Sequence, residues 1–172
     1  MTNHQQPTTH HQAPLEITVG HLLLNHQLTV ATAESCTGGL IGHRLTEVPG
    51  SSEYFLGGII AYSNEIKERL LGVKPETLGT YGAVSAETAI EMARGTRHAL
   101  GADIAVSVTG IAGPGGGTVD KPIGLTYIAV VAENFERVER FVWDRDRAGN
   151  KWATSEAALQ MLQDYVAPLA AA

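Results

Sequence analysis

The residues best suited to chemistry sit together in AESCTGG, positions 33–39, at the end of the apolar run TVATA. A β-branched run that stops at Ser-Cys-Thr-Gly-Gly and then enters a helical pattern reads as a strand–turn–helix junction. Such a junction holds a hydroxyl or thiol at the end of a rigid strand. The free N–H groups of the helix start stand beside it, and they favour an anion or a developing oxyanion. Ser35, Cys36 and Thr37 are therefore all candidate nucleophiles. The same residues also suit a helix cap followed by glycines for close packing.

Other segments could complete a site. In YSNEIKERLLGV, positions 62–73, Lys67 falls early in a helix capped by Ser63 or Asn64. A cation is disfavoured there by the helix dipole, and positive potential or burial lowers a lysine pKa until the amine can act as a base. An exposed lysine facing water satisfies the same pattern. The run VTGIAGPGGG…KPIG, positions 108–124, is neither a Walker loop, since no Gly-Lys-Ser/Thr ends it, nor a dinucleotide fingerprint. Its successive backbone N–H groups could still form an anion-binding nest. In FVWDRDR, Arg145 could reach a phosphate as a bidentate donor or belong to a solvated charge run. The turn at Ser35 resembles that of α/β-hydrolases in geometry only, because Gly-x-Ser-x-Gly would need glycine where Ala33 and Thr37 stand.

These groups need elements to hold them. Hydrophobic periodicity predicts helices over 15–25, 37–46, 63–71, 85–100 and 150–166, and strands over 29–34, 54–62, 104–108, 125–132 and 138–143. Early alternation of helix and strand followed by a strand meander implies an α/β domain whose mixed sheet is covered by helices on its faces. Ligands in such sheets collect beyond the strand ends, which points to Ser35, Tyr62 and Thr109.

With 172 residues the chain has room for one sizeable core, expected over 14–172, behind a polar, His- and Gln-rich tail at 1–13 expected to be disordered. A net charge of −6 with no Lys/Arg cluster argues against nucleic acid as a partner. The single cysteine excludes an intrachain disulfide framework and fits a reducing compartment, and no apolar run is long enough to span a membrane. A cytoplasmic protein is expected. Seven histidines show no metal-ligand spacing, so no metal is expected.

Taken together, AESCTGG, the Tyr62-Ser63-Asn64 to Lys67 segment ending LLGV, GAVSAETA at 82–89, VTGIAGPGGG with KPIG, and Asp144-Arg145 closely resemble the CinA C-terminal domain family. They occur in family order and cover residues 15–166. The resemblance implies a three-layer α/β/α domain. It also implies nicotinamide-nucleotide amidase activity, without metal or cofactor, that converts nicotinamide mononucleotide to nicotinic acid mononucleotide and ammonia. Carried onto this sequence, Ser35 is the nucleophile, Lys67 the general base and Tyr62 a helper in proton transfer. N–H groups near Thr37, Gly38 and Gly39 would hold the oxyanion. Thr109 and Gly110 would line the pocket, and Gly113, Gly115 and Arg145 would take the ribose phosphate. A homo-oligomer is in keeping with the family. Two other readings stay open: a non-catalytic nucleotide-binding or competence-related regulatory module, and an enzyme using Cys36, for which no histidine is placed as base.

Overall fold

In a computed structural model, which describes residues 13–169, five strands form one mixed sheet in the order β2-β1-β3-β4-β5. The strands are β1 (Val30–Glu34), β2 (Phe55–Ile60), β3 (Ile104–Gly110), β4 (Leu125–Ala132) and β5 (Phe135–Val142). β1 runs parallel to β2 and β3, whereas β4 and β5 close the sheet as an antiparallel meander. The helices are α1 (Leu15–Asn25), α2 (Leu40–Thr46), α3 (Asn64–Leu71), α4 (Pro75–Tyr81), α5 (Ala86–Leu100) and α6 (Arg147–Val166). The expected tail lies, apart from Ala13, outside the described residues.

Period-2 alternation sorts each buried strand between two helical layers. Val30, Val106, Ile128 and Val130 point to one face and pack with Leu23 of α1, Ile41 and Leu45 of α2, and Leu159 and Leu162 of α6. Ala33, Ala105 and Ala129 point to the other, against Ala89, Met92 and Ala93 of α5. This is the three-layer α/β/α arrangement expected. The first layer is pinned by Arg44 of α2, which is 4% exposed and pairs with Glu16 of α1 at 2.6 Å and Glu156 of α6 at 2.5 Å. No helix among the described residues is long and apolar enough to cross a membrane.

Several boundaries differ from the sequence reading; β3 runs on to Gly110, and β5 starts at Phe135. α2 starts at Leu40 and not at 37, because Gly38 and Gly39 both take positive φ, +63° and +100°, which a right-handed helix cannot accommodate. Pro75 does not merely end a helix. It stands at the first position of α4, where its missing N–H costs nothing. α6 begins three residues early at Arg147, capped by Asp146, whose carboxylate accepts the Gly149 N–H at 2.7 Å.

Candidate active site

The alternation that builds the core also sends the last residue of β1 and the one after it to opposite layers. Glu34, 1% exposed, turns toward α2 and accepts the N–H groups of Gly39 (2.9 Å), Ile41 (3.1 Å) and Gly42 (2.8 Å). A buried carboxylate thus satisfies the orphan donors at the start of a short helix. Ser35 turns toward α3. Its N–H donates to the Val108 carbonyl of β3 at 3.1 Å and its own carbonyl accepts Gly38 N–H at 3.1 Å, so the backbone of the turn is fixed on both sides.

Lys67 meets Ser35 from α3. Ser63 caps that helix by accepting Ile66 N–H, and Gly72 ends it in the left-handed conformation, so the helix is short and its orientation is set at both ends. Lys67 is only 1% exposed. Its Nζ donates to Ser35 Oγ at 3.3 Å, to the Ala61 carbonyl at 2.8 Å and to the Tyr62 carbonyl at 3.4 Å. Burial lowers its pKa below the ordinary lysine value, because the charged form loses hydration that three neutral oxygens only partly replace. Cys36, next to the serine, is the opposite case. Burial pushes its thiol up to about 11, so no thiolate is available near neutral pH.

Ser35 and Lys67 open onto a cavity of about 280 Å³ at the carboxyl ends of β1 and β3. Tyr62, Thr109, Gly110, Gly113 and Gly115 line it as well, so seven of the expected site residues meet there. Thr109 Oγ1 donates to the Ala83 carbonyl at 2.6 Å, tying the end of β3 to the loop before α5. Tyr62 reaches Lys67 through its carbonyl, while its hydroxyl accepts from Arg147 Nη2 at 3.1 Å.

Four expected residues are placed elsewhere. Gly38 and Gly39 do not line the cavity, and their N–H groups are spent on the Ser35 carbonyl and the Glu34 carboxylate, which corrects the oxyanion assignment. Thr37 is 1% exposed with its hydroxyl unpartnered among the described residues, and it does not line the cavity either. Arg145 precedes the cap of α6 and lines a neighbouring cavity instead. Arg147, to which the sequence assigns no role, is the arginine found at the Ser35 cavity. It lines the Ser35 cavity and donates from Nη1 to the Gly113 carbonyl at 2.7 Å. Asn64 was read only as a possible cap, yet it lines the cavity too. Its position in Tyr-Ser-Asn, at the end of a strand, was the available signal.

Fold and site define a class: α/β/α domains with a mixed sheet and a buried serine–lysine pair at the carboxyl ends of parallel strands. Comparison with known proteins gives the particular group within it. The chain belongs to the CinA C-terminal domain family, which matches residues 12–166. It is 55% identical over 156 residues to the CinA-like protein of Chlorobaculum tepidum, covering 88% of this chain and 37% of that protein. The chain spans little more than a third of the length of the curated relatives it matches. Among solved structures, it is 44% identical to the competence/damage inducible protein CihA from Agrobacterium tumefaciens, with a TM-score of 0.80 over 87% of this chain and 94% of that one. A CinA superfamily protein from Klebsiella pneumoniae is 30% identical, with a TM-score of 0.87 over 90% and 97%.

Proposed function

We propose that the protein hydrolyses the carboxamide of nicotinamide mononucleotide, giving nicotinic acid mononucleotide and ammonia. The observation that carries this reading is the buried Lys67 amine held against Ser35 Oγ and two main-chain carbonyls. A neutral amine has two N–H donors and one lone pair. The carbonyls of Ala61 and Tyr62 take the donors, which leaves the lone pair for the Ser35 hydroxyl. Ser35 Oγ attacks the carboxamide carbon while Lys67 takes its proton. Lys67 passes that proton to the nitrogen, the C–N bond breaks, and ammonia leaves an ester on Ser35. Water then attacks the ester with Lys67 again as base, and the carboxylate product departs.

The oxyanion is assigned to the Cys36 N–H, which follows the nucleophile, and to amides of the glycine loop lining the same cavity. The phosphate is assigned to Arg147, which stands at the cavity wall between Tyr62 and Gly113. Family membership supports the assignment. The decisive experiment is ammonia release from nicotinamide mononucleotide by the purified protein. Ser35→Ala should abolish release and Cys36→Ala should preserve it. Binding of the nucleotide without release would identify a non-catalytic module, and loss of activity only in Cys36→Ala would overturn the serine mechanism.

A further inference from the structure

A larger cavity, about 870 Å³, adjoins the one at Ser35 and shares Ala112, Gly113 and Arg147 with it. Leu40, Pro114, Ile123 and Trp152 give it an apolar, partly aromatic wall, and Arg145 and Lys151 add two cations. The Arg44 guanidinium lies over the Trp152 ring, 4.4 Å from its centroid, and holds the indole as part of that wall. Among the described residues neither Arg145 nor Lys151 enters an ion pair. The carboxylate in the lining, Asp146, is turned to the Gly149 N–H as a helix cap. Lys151 also stands over the Ser35 turn, since a Cβ added at Gly38 would lie 3.8 Å from its Nζ. Uncommitted cations beside an aromatic wall, in a chain of net charge −6, are complementary to a flat amphipathic anion. The Ser35 cavity holds only about a third of this volume, so the pair together has room for more than a mononucleotide.

We propose that this second cavity is a nucleotide subsite, with an aromatic base against Trp152 and a 5′-phosphate between Arg145 and Lys151. With a pyridine mononucleotide half at Ser35, the ligand that spans both cavities is a pyridine dinucleotide whose adenylate half fills the second. That last assignment rests on the function proposed above, whereas the subsite itself does not.

The test is a titration of intrinsic fluorescence with adenosine 5′-monophosphate and, separately, with NAD⁺. The chain has two tryptophans, Trp143 and Trp152, and quenching should disappear in Trp152→Phe. Arg145→Gln combined with Lys151→Gln should weaken binding of the monophosphate at least tenfold. NAD⁺ should also raise the apparent KM for nicotinamide mononucleotide without changing kcat. Quenching by the monophosphate with no competition from NAD⁺ would make the free mononucleotide the ligand and overturn the dinucleotide assignment. No saturable quenching by either compound, or quenching unaltered in the double variant, overturns the subsite. A protein that binds the monophosphate but releases no ammonia overturns the amidase reading and leaves the subsite standing.

Discussion

At the scale of residues, the site depends on one amine that is costly to bury and is buried regardless. Because Lys67 has a lowered pKa in the folded protein, the unfolded chain binds more protons at this position than the native one. The cost is fully present below the folded pKa and fades as pH rises toward the ordinary lysine value of 10.5. Urea unfolding of wild type and Lys67→Met at a series of pH values should therefore show wild type gaining relative to the variant as pH increases. A pH-independent difference would mean Lys67 is not desolvated. Activity should fall on the acid side as the same amine is protonated. Lys67→Arg should lose roughly 10²–10⁴ in kcat, because arginine cannot be deprotonated. Cys36 gives a second check. With its thiol pushed up to about 11, it should resist thiol reagents at neutral pH in the folded protein and react freely in denaturant. The Ser35–Lys67 pairing was legible as residue types at a strand end and a helix start. That Gly38 and Gly39 are spent donors was not, because it follows from the Glu34 carboxylate folding back over the turn, and nothing in AESCTGG announces which way that side chain points.

At the scale of elements, Lys67 is only as well placed as α3, and α3 is placed by α5. A Cβ added at Gly95 of α5 would overlap the Leu71 carbonyl oxygen at the end of α3. Replacing a mid-helix glycine by alanine ordinarily gains about 1 kcal/mol. Here overlap with backbone should outweigh that gain, since overpacking costs about 1–3 kcal/mol. Gly95→Ala should therefore lower the thermal midpoint. It should also reduce kcat, because Leu71 lies on the same side of α3 as Lys67, four residues on. A variant more stable and fully active would show that the two helices have room to part. Helix and strand positions were largely readable from periodicity, as α1 and β4 show with matching boundaries. α4 was missed because seven residues carry too little periodicity, and Pro75 signals a start as well as a stop.

For the whole molecule, alternation followed by a meander was enough to read a mixed sheet between helical layers. It did not reveal that the loop 111–124 and the start of α6 would join in two adjoining cavities. That depends on Arg147 crossing to Gly113 and Tyr62, contacts between segments far apart in the chain. The same arrangement gathers Arg145, Arg147 and Lys151 around one opening of a molecule whose net charge is −6. Such a dipolar layout draws an anionic substrate to its entrance through solution and repels it from the remaining surface. Capture, not the bond-breaking step, should then respond to ionic strength. Raising salt from about 0.01 to 1 M shortens the Debye length from about 30 to 3 Å, so kcat/KM for the mononucleotide should drop while kcat holds. The phosphate-free riboside, a net cation through its pyridinium, should show no such drop. The side of the protein bearing α6's first turn is in that sense an antenna, and its range is set by the electrolyte around it.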